Sequence, residues 1–387
     1  MKFEQLSQVA EYVSNRVDVE KLSLDNYIST ENMIPDRGGV IRSSKLPAVK
    51  TVSSFSENDI LISNIRPYFK KIWYANKNGG CSNDVLVIRA KEGIDPKFLY
   101  YVLSTDTFFN YTVASSKGTK MPRGDKHAIM QYKVPSFSID RQLEIASILS
   151  ALDDKIELNR RMNATLEEMA QAIFKEWFVD FNFPGATGEF VDSALGPIPI
   201  GWEAKPLDKV AHFLNGLALQ KYPPKNEADE LPVIKIKQLR ANSIDGADIS
   251  SKSISKEYHV SFADLLFSWS GSLEVSFWTG PNGALNQHLF KVTSKEYPLW
   301  FCYHWLLHYL PAFRSIAEGK ATTMGHIKRE NLSNKYCAIP PNIEKHGKHL
   351  EAIHRKILAN SKEANYLEKT KETLLGYFFE LRNNDGL

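Results

Sequence analysis

The stretch spanning residues 139–181 constrains the fold of this chain most, because its apolar side chains recur with the period of a helix. They return at alternating steps of four and three, the seven-residue repeat of a coiled coil: Ile145, Leu149, Leu152, Ile156, Leu166, Ile173 and Trp177. The pattern predicts one long helix, with Asp140 or Ser138 as its N-cap and Pro184 beyond its end. Such a helix, roughly 60 Å long, needs a partner to cover its apolar seam.

The partner is predicted in the same chain, 201 residues farther on, where Lys155-Ile156 is matched by Lys356-Ile357 and Leu166 by Leu367. The apolar seam recurs there as Leu350, Ile353, Ile357, Asn360, Leu367, Leu374 and Phe378. This internal repeat predicts two copies of one module. The alternative is a chance agreement between two amphipathic helices.

Polar residues interrupt the seam at Asn159 and Asn163 in the first helix, and Asn360 in the second helix matches Asn159. A buried Asn weakens helix pairing but rejects shifted registers, because only an aligned partner satisfies its amide. We therefore expect Asn159 and Asn360 to face each other and to set the register.

The composition fits a globular chain of two or three domains, with 387 residues, 43% of them hydrophobic and 24% charged. Neither a basic-then-apolar leader nor a run of 18 uncharged apolar residues is found in the sequence, so we expect a cytoplasmic protein without membrane contact. Cys81, Cys302 and Cys337 are widely separated and are expected to be buried thiols. The net charge of +3 permits a nucleic-acid partner without requiring one.

The segments before the two helices share one order of predicted elements. The first has strands at 59–63 and 84–88 with a turn at Gly79-Gly80 between them, a helix at 96–110, a cationic glycine loop at 115–126 and a strand at 132–135. The second has a strand at 264–268, a helix at 299–310, a cationic loop at 319–328 and a strand at 338–340. Two copies with different exposed residues are typical of modules that recognise different targets.

These features resemble the specificity subunit of a type I restriction-modification system, over nearly the whole chain. The resemblance rests on the paired helices, on Pro135 and Pro340 before them, on Ile173-Phe-Lys-Glu-Trp-Phe-Val-Asp-Phe181, and on Gly196-Pro-Ile-Pro-Ile-Gly-Trp-Glu203. The first domain lacks the Pro-Gly-Trp opening and starts Met1-Lys-Phe-Glu-Gln-Leu6.

The resemblance implies an α+β fold in which two mixed α/β target-recognition domains are separated by two long helices. The expected boundaries are 1–138 for the first domain, 139–184 for the first helix, 185–343 for a connector with the second domain, and 344–387 for the second helix. The helices are expected to form an antiparallel coiled coil with an internal pseudo-two-fold repeat.

The resemblance also implies a non-catalytic chain that binds bipartite double-stranded DNA, with one domain for each half-site. Its implied partners are two methyltransferase (M) subunits and, in the full complex, restriction/translocase (R) subunits. S-adenosylmethionine, ATP and Mg²⁺ are expected on those partners, and no cofactor or metal is expected on this chain.

Candidate DNA contacts are loop cations, which bind phosphates, and polar side chains that reach base edges. In the first domain they are Arg66, Lys70, Lys71, Lys117, Thr119, Lys120, Arg123 and Lys126. In the second they are Lys235, Lys237, Gln238, Arg240, Gln287, His288, Lys320, Thr322 and Thr323. For each of them the alternative is an exposed side chain without a DNA contact.

The aromatic ends of the helices exceed what a two-helix seam can bury: Phe174, Trp177, Phe178, Leu375, Phe378 and Phe379. They are expected either to pack on the adjoining domain or, as the family implies, to dock M subunits.

Two other functions remain open at this stage. One is the specificity subunit of a related combined cleavage-methylation system, and the other is a protein-only coiled-coil scaffold. A DNA-binding subunit is expected to bind duplex DNA with a steep inverse dependence on salt, and a scaffold is not.

Overall fold

The computed structural model describes residues 2–118, 120–319 and 325–379. The chain divides into two compact units. Unit 1 contains residues 1–155 and 367–387, and unit 2 contains residues 156–366. Each unit therefore includes part of each long helix.

The predicted long helix is confirmed, from Ile139–Phe174, and a turn of π-helix continues it over Lys175–Val179. The second long helix spans Ile343–Phe379. Gln142 fixes the start of the first helix, because its side chain accepts a hydrogen bond from Asp95 N at 2.9 Å and donates one to Phe137 O at 2.9 Å. These bonds tie the start of the long helix to Asp95, the N-cap of the helix Pro96–Leu103.

The described part of unit 1 contains two four-stranded sheets and one strand pair. The first sheet is antiparallel, in the order Ala10–Tyr12, Val85–Ala90, Ile60–Ser63 and Ile72–Tyr74. The second has the order Arg16–Asp18, Thr51–Phe55, Gly79–Cys81 and Tyr27–Ile28. Phe3–Gln5 pairs with Lys133–Pro135. The helices are Leu6–Val9, Pro96–Leu103, Asp106–Ala114 and Lys126–Met130.

The described part of unit 2 repeats the first sheet with the same order of chain positions. Its strands are His212–Asn215, Leu289–Thr293, Leu265–Ser268 and Val275–Phe277. The second sheet, Ile249–Ser251, Glu230–Ile234, Gly283–Leu285 and His259–Val260, differs at its edges. Two strand pairs, Glu203–Pro206 with Tyr336–Ile339 and Phe190–Ser193 with Gly196–Pro199, complete the sheets. The helices are Leu207–Val210, Ile236–Ala241, Leu299–Glu318 and Arg329–Ser333. The two domain repeats expected from the sequence are thus present.

Two local predictions need correction. The segment 96–110 forms two helices rather than one, because Thr105 adopts an extended conformation and caps the second through Phe108 N. Gly79 and Gly80 are strand residues, not a turn. A Cβ on Gly79 would lie 2.1 Å from Asn26 O, so this glycine allows close packing of backbone.

Each unit has its own main apolar core, and each core includes residues of the long helices. In unit 1, Leu149 and Phe379 pack with the first sheet and Phe98. In unit 2, Phe174 and Phe178 pack with residues of the helix Leu299–Glu318. The three cysteines are buried, as predicted, and burial raises the pKa of the Cys81 thiol to about 12.

Candidate nucleic-acid interface

Three loops of unit 1 meet beyond the end of its first sheet, and we call this place the unit 1 junction. Backbone hydrogen bonds join the loops: Asn64 N donates to Asp84 O at 2.8 Å, and Gly124 N donates to Asn64 O at 3.0 Å. The junction comprises residues 64–66, 82–84 and 117–124 other than 119. Because these backbone hydrogen bonds hold the loops together, the backbone positions that carry the side chains of the junction are fixed.

The unit 1 junction carries five charged side chains, those of Arg66, Asp84, Lys117, Lys120 and Arg123. Arg123 forms an ion pair with Asp84 at 3.0 Å and remains 58% exposed. Lys117 lies 2.6 Å from Asp125, and hydrogen bonds from Lys117 and from Ala128 N lower the pKa of Asp125 to about 2. Arg123 is oriented by its carboxylate partner and still offers its outer guanidinium edge to an anion or a base.

Unit 2 has the same backbone arrangement, which we call the unit 2 junction. Trp269 N donates to His288 O at 3.3 Å, and Ile327 N donates to Trp269 O at 3.0 Å. A further bond joins Gly271 N to Gly325 O at 2.9 Å. The described part of this junction comprises residues 269–271, 286–288 and 325–327.

The side chains of the unit 2 junction are neutral polar and aromatic groups. Ser270 Oγ lies 2.8 Å from His288 Nδ1, and Gln287 Nε2 lies 3.3 Å from His288 Nε2. Trp269 Nε1 donates to Asn215 Oδ1 at 2.8 Å. Two repeats of one backbone frame therefore present chemically different surfaces.

The predicted DNA contacts of the first domain fall into two groups. Arg66, Lys117, Lys120, Arg123 and Lys126 are exposed on or beside the unit 1 junction. Lys70 instead forms an ion pair with Asp106 at 2.9 Å, and Lys71 donates to Thr30 O at 2.7 Å, where burial lowers the pKa of Lys71. Their internal partners compete with any DNA contact. Thr119 lies outside the described residues.

The predicted contacts of the second domain are more scattered. Gln287 and His288 lie in the unit 2 junction, and Lys237 is exposed on a short helix. Lys235 is paired with Asp248, and Arg240 is paired with Glu274 at 2.7 Å. Lys320, Thr322 and Thr323 lie outside the described residues.

Gln238 is the predicted contact that the structure places least favourably. Its side chain is 3% exposed, and its Nε2 donates to Asp245 O at 3.4 Å. The helix Ile236–Ala241 turns this face toward the core, where Leu239 is also buried. A base edge cannot reach the Gln238 amide in this conformation.

The predicted register residues take different partners from those expected. No hydrogen bond joins Asn159 to Asn360 within the described residues. Asn159 Nδ2 donates to Glu363 Oε2 at 2.9 Å, and Asn360 Nδ2 donates to Asn163 Oδ1 at 2.9 Å. Asn163 also donates to Ile357 O at 3.1 Å. Both predicted residues are buried and make polar contacts between the long helices within unit 2, but their amides do not bond to each other.

Most of the predicted docking residues are covered by the chain itself. Phe174 and Phe178 belong to the core of unit 2. Leu375, Phe378 and Phe379 are buried in the core of unit 1. Trp177 is partly buried and contacts the His349 ring. This burial favours packing on the adjoining domain, the first of the two alternatives.

Sequence reasoning missed Asn83, Asp84, Ser270 and His326, which also lie in the junctions. The missing signal was their position relative to strand ends. Asn83, Asp84 and Ser270 follow Cys81 and Ser268, the last residues of their strands, by two or three positions.

Comparison with known proteins assigns the class. The family model "Type I restriction modification DNA specificity domain" matches residues 2–168 and 199–371, so the chain belongs to this family. It is a specificity protein of type I restriction-modification, with a role in DNA sequence specificity and no catalytic role of its own.

Individual proteins agree with that assignment. The chain is 29% identical over 311 residues to the type I restriction enzyme MjaIX specificity subunit of Methanocaldococcus jannaschii, covering 76% of this chain and 70% of the relative. It is 28% identical to the HindI specificity subunit of Haemophilus influenzae, over 46% of this chain and 40% of that one. The crystal structure of the S subunit from M. genitalium matches with a TM-score of 0.57 and 14% identity, covering 97% of this chain and 94% of that one, which supports the fold.

Two features are absent from the described residues. No helix there is both long and apolar enough to cross a membrane. No group of three or more His, Cys, Asp or Glu side chains there is arranged to hold a metal ion.

Proposed function

We propose that the chain binds a bipartite duplex site, with the unit 1 junction on one half-site and the unit 2 junction on the other. The observation that carries this proposal is the repeated backbone frame with exchanged side chains. A frame that is kept while its exposed groups change fits two binding surfaces with different sequence preferences.

The two junctions are expected to contribute differently to DNA affinity and to base recognition. Exposed cations around the unit 1 junction, Arg66, Lys117 and Arg123 among them, suit phosphate contacts and the guanine edge. The described unit 2 junction offers hydrogen-bonding groups without net charge, which suits base reading more than affinity. The target-recognition domains are proposed at residues 1–138 and 185–343.

We propose that the two long helices pair antiparallel as a coiled coil, with an approximate two-fold repeat. The contacts inside unit 2 support this direction, because Asn159 bonds to Glu363 whereas the later Asn163 bonds to the earlier Asn360. Residue numbers rise along one helix as they fall along the other. Asn163 then joins Asn159 and Asn360 as a register residue.

We propose that the partners are two M subunits and, in the full complex, R subunits, which carry S-adenosylmethionine, ATP and Mg²⁺ in the cytoplasm. Exposed apolar side chains on the long helices are better docking candidates than the buried phenylalanines. They are Leu143, Leu158, Met169 and Tyr377, exposed by 51, 47, 49 and 61%. Burial of such exposed apolar side chains under a partner subunit would contribute favourably to the free energy of binding.

Binding of the purified full chain, with its M subunits, to a random duplex library tests the DNA proposal. Two separated blocks of conserved bases are expected, and log K should fall with log salt by about 0.9 for each phosphate neutralised. The triple variant Arg66→Ala, Lys117→Ala, Arg123→Ala should flatten that dependence.

The matched control replaces Lys70 and Lys71 by Ala, which removes cations that are less accessible to DNA, since Lys70 is 27% exposed against 82% for Lys117 and 58% for Arg123. It should change the salt dependence less than the triple variant. Binding without salt dependence, or without any selected sequence, would contradict the proposal and favour a protein-only scaffold.

A further inference from the structure

The two junctions contain the same tight turn just before a central strand of the first sheet. In unit 1, Val85 N donates to Ser82 O at 3.0 Å, and in unit 2, Leu289 N donates to Asn286 O at 2.9 Å. The second residue of the first turn is Asn83, and that of the second is Gln287. Both turns therefore present a carboxamide at the same corner.

Strand pairing shows that these corners are equivalent. Val85 lies opposite Ser63, and Leu289 lies opposite Ser268, in matching strands. On the other side of each turn, Cys81 pairs in parallel with Ile28, and Leu285 pairs in parallel with Ile234. The equivalence of Asn83 and Gln287 thus rests on paired residues before and after the turn.

We propose that Asn83 and Gln287 are specificity-determining residues, each reading an adenine, one in each half-site. A carboxamide can accept from adenine N6 and donate to N7 at once, which is the pairing that Asn and Gln make in the major groove. The inference rests on the proposed function, since it requires the two junctions to meet DNA.

The hydrogen bonds around Gln287 leave part of its side-chain amide available to pair with adenine. Its Nε2 lies 3.3 Å from His288 Nε2, and Ser270 Oγ lies 2.8 Å from His288 Nδ1. If Gln287 donates to Nε2, the ring proton lies on Nδ1 and is donated to Ser270, which is 4% exposed. The side-chain Oε1 of Gln287 and the second N–H of its amide bond to no other group in the described part of the chain, so both remain for a base.

Asn83 reaches an equivalent position with different support. Its neighbour Asp84 is held by Asn64 N through its carbonyl and by Arg123 through its carboxylate. The Asn83 side chain is exposed and makes no hydrogen bond to the described residues. Arg123 beside it can bind a guanine or a phosphate, so this junction combines a neutral reader with a cation.

The test is duplex selection with the full chain and its M subunits, comparing wild type with Gln287→Ala and Asn83→Ala. Gln287→Ala should relax one adenine position in one half-site, weaken binding to the parental site roughly 5- to 150-fold, and leave the other half-site and the salt dependence unchanged. Asn83→Ala should do the same in the other half-site.

Gln287→Glu sharpens the test, because a carboxylate accepts from cytosine N4 and should shift the preferred base at that position toward cytosine. Lys256→Ala is the matched control, because Lys256 is an exposed cation of unit 2 outside the junction and outside the candidate DNA contacts, and it should leave every base preference intact. Gln287→Asn should keep some adenine preference, and thermal melting of each variant identifies any that fail to fold.

The results separate this inference from the proposed function. Adenine preference retained in both alanine variants overturns it, as does a uniform loss of affinity with a flatter salt dependence, which would mark phosphate contacts. If wild type selects no two-part sequence, the proposed function itself fails, whatever the variants do.

Discussion

In each unit a polar contact joins a helix, Pro96–Leu103 in unit 1 or Leu299–Glu318 in unit 2, to a long helix at an equivalent position. The contact involves charged side chains in unit 1 and a pair of histidines in unit 2. Asp153 and His354 are separated by the 201-residue offset that relates the long helices. In unit 1, Tyr101 O–H donates to Asp153 at 2.8 Å, and Lys371 lies 2.6 Å from the same carboxylate. In unit 2, the Nε2 atoms of His304 and His354 are 2.8 Å apart.

The difference shows how one architecture tolerates exchanged polar contacts. The imidazole pair is 2% and 6% exposed, so one ring donates and the other accepts only while both are neutral. Burial lowers the pKa of both rings, that of His354 to about 4. The unit 1 contact is built on a charged carboxylate and a cation. Equivalent positions of the two repeats therefore hold a neutral pair in unit 2 and an ion pair in unit 1.

Removing a large buried apolar side chain at the end of a long helix should give the largest loss of stability. Phe178 is fully buried against Trp202, Trp300 and Phe301, and its equivalent Phe379 contacts Phe98 and is 8% exposed. Phe178→Ala should lower the free energy of unfolding by about 3–5 kcal/mol, and Phe379→Ala by an amount near the lower end. Urea unfolding with hydrogen exchange would assign each loss to its unit.

A conservative Phe178→Leu variant is the control and should retain most of the stability. The docking alternative predicts the reverse outcome. If Phe178→Ala unfolds like wild type but no longer co-purifies with M subunits, the ring serves a partner rather than the core.

The sequence predicted those elements of the two units whose residues repeat at regular intervals. The seven-residue repeat from Ile145 to Trp177 predicts a helix because each seam residue repeats the same physical demand. The offset from Lys155 to Lys356 predicted the second helix and the duplication. No repeating pattern of residues indicates the conformation of Gly79. Its close approach to Asn26 O involves residues far apart in the chain, and glycine also suits a turn.

Site residues were predicted by type more than by position. Arg123 and Gln287 were found because cations and amides in loops suit DNA, but the same rule selected Gln238, which one helical turn buries. The contacts of Lys70 with Asp106 and of Asn360 with Asn163 depend on side chains brought together by the fold. Local sequence does not specify such pairs, and the register predicted from Asn159 and Asn360 found the right face but the wrong partners.

Acidification should break the contact between His304 and His354 in unit 2. Because the folded pKa of His304 and His354 lies below the ordinary value near 6.5, the unfolded state binds more protons between those values. Stability from the pair is complete above about pH 6.5 and is lost as the pH falls toward 4, by roughly 3 kcal/mol for His354. Hydrogen exchange of unit 2 at pH 7 and pH 5 measures the loss.

The double variant His304→Phe, His354→Leu serves as the control for that experiment, since neither new side chain titrates. Its unit 2 should lose less protection between pH 7 and pH 5 than wild type does. An equal loss in wild type and variant would place the pH dependence elsewhere.

The smallest effect is expected from Tyr101→Phe, which removes only the hydroxyl that donates to Asp153. Lys371 still pairs with that carboxylate, and Asp153 is 32% exposed, so water can replace the lost donor. Urea unfolding of unit 1 should show a loss of about 0.5–1.5 kcal/mol. A loss as large as that of the histidine pair would mean that Tyr101 alone keeps Asp153 satisfied, and that the two contacts, despite their chemistry, carry equal weight.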